Sequence, residues 1–159
     1  MNRMKLLTAI IACIASLGVA NAVEAQVRSP QTAATDSTAV VRVVEGFHAA
    51  LAAGDSVVAI ALLDTGVLVL ESGEMENGSD YRRHHLSADI AFARAVRGSR
   101  VVRQVTVRGT AAWVVATSRT AGTFEGRAID SEGAELMVLT LTSEGWRIAA
   151  IHWSSHRRR

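Results

Sequence analysis

The fold is decided by residues 101–125, which read VVRQVTVRGTAAWVVATSRTAGTFE. This stretch is rich in Val and Thr, and Gly109-Thr110 divides it into two runs of strand character. A gap this short joins antiparallel neighbours. The same pattern continues towards the C-terminus, so four consecutive strands are predicted, over 101–108, 112–125, 135–142 and 146–155.

The N-terminal half has a helical period instead. A first helix is predicted between Asp36 or Ser37, which can cap its start, and Gly54, which can end it. Its apolar residues recur at helical spacing and are Val40, Val44, Phe47 and Leu51. The pattern then predicts a short second helix from the cap Asp55 to Leu63, a strand at 67–71, a polar loop at 72–79 and a third helix from Asp80 to Gly98.

Helices and strands are therefore segregated along the chain rather than alternating. Such an order is typical of the α+β class. We expect a curved antiparallel sheet with three N-terminal helices packed on one face.

Composition narrows the class of protein. The chain has 159 residues, 49% of them hydrophobic and 20% charged, which is typical of one globular domain and excludes a disordered chain. No run of 18 or more apolar residues predicts a membrane span. Arg3 and Lys5 belong to an N-terminal segment, described next, that we expect to be removed. Without them Lys+Arg falls from 17 to 15, which equals the 15 Asp+Glu, so the net charge is zero. Because nucleic-acid binders usually carry a basic surplus, no nucleic-acid partner is expected.

The first 22 residues have the order of a secretory signal peptide. Arg3 and Lys5 precede an apolar stretch at 6–19 and a small-x-small cleavage site, Ala20-Asn21-Ala22. We expect a periplasmic or secreted protein with no stable membrane anchor, because the apolar stretch is too short to span; a lipoprotein signal at Cys13 is the other alternative. The remaining chain divides into a flexible leader at 23–35, a domain at 36–156 and a basic tail at 157–159, and it contains no cysteine for a disulfide.

Three stretches carry a resemblance to a known superfamily. They are VEGFHAALAAGD at 44–55, Glu71-Ser72-Gly73 followed by YRRHHL at 81–86, and GWRI at 145–148 followed by IHWS at 151–154. Together they resemble the nuclear transport factor 2-like superfamily, which includes SnoaL-like cyclases and ketosteroid isomerase. The resemblance implies a cone-shaped sheet whose concave face holds the helices, and a homodimer. The ketosteroid isomerases use a tyrosine and carboxylic acids; the one tyrosine here is Tyr81, at the start of the third helix.

Candidate site residues come from the last strand and the third helix. Strict alternation puts Trp146, His152 and Ser154 on one strand face, which we assign to the cone interior, and Ile151 and Trp153 on the outer face, a candidate dimer interface.

On the third helix, His85 shares a stripe with Tyr81 and Phe92, and Asp89 lies four residues further on, where it can hold the imidazole. Glu71 ends the first strand. We expect His152, His85 and Asp89 to be catalytic and a second group to contact a ligand, namely Glu71, Tyr81, Phe92, Trp146 and Ser154.

Three functions follow from this cluster. The first is binding of a small apolar molecule without established catalysis. The second is acid–base chemistry of the isomerase, dehydratase or hydrolase type, with His152 or His85 and a carboxylate. The third is a metal-binding accessory protein that uses Glu71, His85 and His152 as ligands. No nucleotide-binding glycine motif occurs, and no cofactor is predicted.

Overall fold

The computed structural model describes residues 30–158, with side chains from Asp36 onwards. The predicted signal peptide at 1–22 lies outside the described residues, as does the leader up to residue 29. The elements in chain order are the helices α1 (Pro30–Ala53) and α2 (Ser56–Ala61), the strands β1 (Leu63–Glu71) and β2 (Glu74–Asn77), a third helix made of α3 (Gly78–Asp80), a π-helical segment (Tyr81–His85) and α4 (Leu86–Ala95), and the strands β3 (Val96–Arg108), β4 (Ala111–Phe124), β5 (Arg127–Thr142) and β6 (Gly145–Arg157).

The six strands form one sheet in the order β2-β1-β6-β5-β4-β3. All neighbours are antiparallel except β1 and β6, which are parallel. The predicted class is confirmed, since the fold is α+β with three helices on a curved sheet. Within residues 30–158, no helix is long and apolar enough to cross a membrane.

The helix termini agree in part with the predicted caps. Gly54 ends α1 with a φ of 82°, and Asp55 caps α2 by accepting a hydrogen bond from the Val58 amide. However, α1 begins at Pro30, earlier than the expected cap at residues 36–37. The third helix is capped by Asn77 rather than Asp80, because the Asn77 side chain accepts from two amides of the first turn.

The polar loop predicted at 72–79 is confirmed only for the turn at Ser72-Gly73, because strand β2 and the start of the third helix follow it. Ser72 and Gly73 have φ values of 54° and 87°, which is the conformation of a two-residue hairpin turn. The chain therefore folds back as β2 and pairs with β1. This pairing brings Glu74 opposite Glu71 and Glu76 opposite Val69.

The core lies between the concave face of the sheet and the helices. Apolar residues of α1 pack on the central strands, and the fully buried side chains include Val40, Val44, Phe47, Val114, Met137, Leu139 and Ile151. The third helix closes one end of this core through Tyr81 and Leu86.

A β-bulge in the last strand overturns the predicted faces of that strand. Leu139 is opposite Ile148, but the next β5 residue, Val138, is opposite Ala150, so Ala149 is an extra residue. Beyond the bulge the alternation is inverted. Ile151 is fully buried and Trp153 faces the helices, whereas His152 is exposed on the outer face. The dimer interface predicted at Ile151 and Trp153 is therefore wrong.

Candidate functional site

Polar residues gather on the concave face at the open end of the cone. Cross-strand pairing places Glu74, Glu71, Trp153 and Glu135 side by side in one row across β2, β1, β6 and β5. Two clusters are built on this row. We call them the Glu71 cluster (Glu71, Glu76, Tyr81, His85 and Asp89) and the Glu135 cluster (Glu45, His48, Arg100, Glu135 and Trp153).

The Glu71 cluster joins the β1–β2 hairpin to the third helix. The Tyr81 hydroxyl donates a hydrogen bond to Asp89 Oδ2 at 2.8 Å. His85 Nδ1 lies 2.7 Å from Glu76 Oε2. With Val69 and Glu74, these residues line a cavity of about 10 Å³, which has room for one water molecule.

The π-helical segment sets this geometry. A π turn holds one residue more than an α turn, so the side chains of Tyr81 and Asp89 meet although they are eight residues apart. Asp89 was expected to form a hydrogen bond with His85. Instead it accepts one from Tyr81, and Glu76 contacts the His85 imidazole.

Burial dominates the electrostatics of the Glu71 cluster. It raises the pKa of Glu71, with a further rise from the Asp89 charge and an opposing effect of His85. Burial also raises the pKa of Asp89, against the hydrogen bond from Tyr81. The Tyr81 pKa is raised for the same reason, so this hydroxyl keeps its proton. The hydrogen bond with Glu76 raises the pKa of His85.

The Glu135 cluster has the opposite electrostatics. Glu135 is 8% exposed, and its Oε1 accepts from Arg100 Nε at 2.9 Å and from a terminal nitrogen of Arg100 at 2.6 Å. Its Oε2 accepts from Trp153 Nε1 at 2.7 Å. Burial alone would raise the pKa of Glu135, but His48, Trp153 and Arg100 together outweigh it and lower that pKa to about 2.

His48 and Glu45 attach α1 to this second cluster. His48 Nε2 is a buried atom and lies 2.8 Å from Glu135 Oε2. This distance is that of an ion pair, but the angle is outside the range of a hydrogen bond. Glu45 accepts from Arg100 at 2.6 Å. The His48 imidazole therefore lies between α1 and β5.

The structure brings together four of the predicted site residues, namely Glu71, Tyr81, His85 and Asp89. The other four lie elsewhere. His152 is on the outer face between Leu70 and Leu136, and Ser154 is exposed on the same strand. Trp146 is buried in the core at 5% exposure, and Phe92 packs edge-on against Phe124.

The predicted metal ligands are not assembled either. His152 is on the opposite face of the sheet from Glu71 and His85, because of the bulge at Ala149. Over residues 30–158, no group of three or more His, Cys, Asp or Glu side chains is arranged to hold a metal ion.

Sequence reasoning missed Glu76 and the whole Glu135 cluster. Glu76 was assigned to a loop, although Ser72-Gly73 between two short runs is a hairpin signal. The partners of Glu135 come from α1, β3 and β6, and no sequence spacing indicates such a contact.

The curved sheet, the three helices and the polar concave face define a protein of the nuclear transport factor 2-like superfamily. Within it, the SnoaL-like domain matches residues 40–157, and the chain belongs to this family.

Solved structures agree with this assignment. A candidate ketosteroid isomerase from Shewanella frigidimarina is 33% identical, with a TM-score of 0.70 over 73% of this chain and 94% of that one. A candidate dehydratase of the NTF2-like family from Streptomyces avermitilis is 20% identical, with a TM-score of 0.66 over 79% and 99%. The association domain of C. elegans CaMKII is 20% identical, with a TM-score of 0.62 over 78% and 98%. A comparison with curated protein sequences gives no match.

Proposed function

We propose that the protein is an acid–base enzyme of the isomerase or dehydratase type that acts on a small, largely apolar molecule. One observation carries the proposal: two carboxyl groups, Glu71 and Asp89, lie with the Tyr81 hydroxyl around one cavity, and burial raises the pKa of both. Carboxyl groups shifted towards neutral pH are suited to proton transfer. The structures named as an isomerase and a dehydratase support the same class.

For an isomerase reaction, the groups present can move one proton between two carbons. The Glu71 carboxylate takes a proton from the carbon next to a carbonyl. The protonated Asp89 carboxyl, which accepts a hydrogen bond from Tyr81, donates its own hydrogen bond to the carbonyl oxygen as negative charge develops there. The protonated Glu71 then returns its proton to the second carbon, and the double bond shifts. The enzyme ends as it began, so no other reactant is needed.

The size of the cavity sets a condition on this proposal. A cavity of about 10 Å³ holds no organic substrate, so the β1–β2 hairpin must move outwards for one to enter. The contact between Glu76 and His85 is the polar bond that joins this hairpin to the third helix at the cavity. Below the carboxylates lie Val69 and the apolar core, which favour an apolar substrate.

The experiment uses 3-cyclohexen-1-one, a small β,γ-unsaturated ketone, and follows its isomerisation to the conjugated ketone by absorbance. We expect turnover that falls about 100-fold or more in Glu71→Gln and Asp89→Asn. Glu144→Gln, in an exposed turn, is the matched control and keeps the wild-type rate.

Binding without catalysis is the competing function, because the cavity is closed in the structure. A wild-type chain that binds the ketone but does not isomerise it would be a binding module, and the enzyme proposal would be wrong. Retained affinity with lost turnover in Glu71→Gln would support the enzyme.

We also propose a homodimer through the apolar half of the outer sheet face. This half of the face consists of two adjacent cross-strand rows, which we call the outer apolar rows. They are Leu68–Ala150–Val138–Trp113 and Leu70–His152–Leu136–Val115. Leu68 and Leu136 are each 39% exposed, and an exposed apolar patch favours an interface.

Light scattering tests the dimer. We expect Leu136→Asp to halve the mass, because the charge falls in the centre of the outer apolar rows, whereas Val57→Asp on exposed α2 leaves it unchanged. An unchanged mass for Leu136→Asp would contradict the interface.

Finally, we propose that the protein is exported to the periplasm or secreted, on the order of charges and cleavage residues in 1–22. N-terminal sequencing of the exported chain should then start at or near Val23. Recovery of chain that retains Met1 would contradict export by cleavage.

A further inference from the structure

A second and larger cavity lies on the outer face of the sheet, next to the outer apolar rows. Its volume is about 580 Å³, within the range of small-molecule sites, about 300–1,000 Å³. Its floor consists of two further cross-strand rows, Ser154–Ala134–Thr117–Val101 and His156–Glu132–Arg119–Ser99. We call this cavity the distal groove.

Arg103 is directed into the distal groove by a second β-bulge. Val102 is opposite Ala116 and Gln104 is opposite Val115, so Arg103 is the extra residue of edge strand β3. Its Nε donates to the Thr117 hydroxyl at 2.8 Å. This bond fixes the guanidinium on the groove side and leaves its two terminal nitrogens available to a ligand.

The charges around the groove leave a positive excess. Glu132 is the one acidic residue of the lining, and it is paired with Arg158 at 3.2 Å and lies 3.9 Å from His156. Arg103 and Arg119 also line the groove, and neither has a carboxylate partner within 4 Å in the described part of the chain. Two guanidinium groups without counter-ions favour an oxyanion.

Hydroxyl groups complete the lining. Ser99, Thr117 and Ser154 lie on the rows that form the floor, and each hydroxyl can both donate and accept. Such a surface is suited to the hydroxyl groups of a sugar or polyol, next to the site for its anionic group.

We propose that the distal groove binds a small hydroxyl-bearing organic oxyanion, of which a sugar phosphate is the representative. Arg103 and Arg119 hold the anionic group, and the serine and threonine hydroxyls hold the body of the molecule. The site is separate from the Glu71 cluster, which lies on the concave face, so it does not depend on the proposed enzyme activity.

The experiment is an NMR titration of the whole chain with glucose 6-phosphate, followed at the backbone amides. We expect saturable shifts confined to the groove strands at millimolar or lower concentration. Glucose and inorganic phosphate should each bind about tenfold or more weakly, because each lacks one half of the contacts.

Variants locate the site. Arg103→Gln and Arg119→Gln should each weaken binding about tenfold, and Ala134→Trp should abolish it by filling the groove. Arg97→Gln is the matched control: it is an exposed arginine on the same strand outside the groove, and it should leave binding unchanged. Isomerisation by the Glu71 cluster should not change in any of these variants.

The proposal is overturned if glucose 6-phosphate gives no saturable shift. It is also overturned if Arg97→Gln weakens binding as much as Arg103→Gln, since that would be a general charge effect. A third contrary result is that the groove amides are covered by a second copy of the chain at every protein concentration, which would make the groove part of the dimer interface.

Discussion

The Glu71 and Glu135 clusters share one row of the sheet, but the pKa values of their desolvated carboxyl groups shift in opposite directions. Glu135 is surrounded by donors, with Arg100 on one oxygen and Trp153 on the other, and its pKa falls to about 2. Glu71 and Asp89 are half-buried, the neutral Tyr81 hydroxyl donates to Asp89 alone, and the pKa of each carboxyl rises. Burial is common to both clusters; the supply of positive charge differs.

This difference separates a structural role from a chemical one. Glu135, whose two oxygens both accept from donors, stays ionised and joins α1 to three strands. It has no oxygen free to contact a substrate. A carboxylate that lacks these partners is costly to desolvate, and its raised pKa brings its proton exchange closer to neutral pH. The comparison therefore predicts that one cluster governs stability and the other activity.

The largest expected effect is on turnover. Glu71→Gln should lower the isomerisation of 3-cyclohexen-1-one about 100-fold or more, because it removes the proposed base. Glu135→Gln, measured at a temperature where it is fully folded, should change the rate by far less. Equal losses in the two variants would remove the distinction between the clusters.

The second effect is on stability, and here the Glu135 variant should be affected more than the Glu71 variant. Glu135→Gln should lower the free energy of unfolding by about 3 kcal/mol, since it leaves the half-buried His48 without an anion and Arg100 with the exposed Glu45 alone. Glu71→Gln should be neutral or slightly stabilising at pH 7, because it replaces a carboxyl whose ionisation is disfavoured. Urea unfolding measures both, and a large loss in Glu71→Gln would contradict the account.

The third effect is on the pH dependence of stability. The folded-state pKa of Glu135, about 2, is below the ordinary 4.5, so its contribution is complete above 4.5 and is lost as the pH falls towards 2. The pKa of Glu71 is raised, so its ionisation costs stability as the pH rises from 4.5 through its folded value.

Urea unfolding at a series of pH values tests these signs. The deficit of Glu135→Gln relative to wild type should shrink as the pH falls towards 2. The advantage of Glu71→Gln should grow as the pH rises. Curves that run parallel at all pH values would show that neither pKa is shifted.

The smallest effect is on the histidines. Glu76→Gln should lower the pKa of His85, because it replaces the carboxylate that raises it. His152→Ala should leave the His85 titration unchanged, since the two rings lie on opposite faces of the sheet. NMR titration of the histidines measures this, and a shift of His85 in His152→Ala would contradict the bulge at Ala149.

Much of the fold was predictable from the sequence because local signals determine it. Gly54 ends the first helix, Asp55 caps the second, and the Val-rich and Thr-rich runs predict the four long strands. The part of the site that lies on one helix was also predictable, because helical spacing places Tyr81, His85 and Asp89 in one region.

Two of the errors have the same physical origin, a single added residue. The extra residue at Ala149 inverts every side chain after it and moves His152 to the outer face, although the residues of β6 give no sign of a bulge. The π-helical segment has the same effect on the third helix, where Asp89 meets Tyr81 instead of His85. Glu135 finds its partners on three other elements, and only the folded chain shows that.

A carbon-13 NMR titration of the side-chain carboxyl groups measures the opposite pKa shifts of the two clusters in one experiment. We expect Glu135 to titrate near pH 2, while Glu71 and Asp89 titrate above their ordinary values of 4.5 and 3.8. Titration of all three at their ordinary values would contradict this expectation.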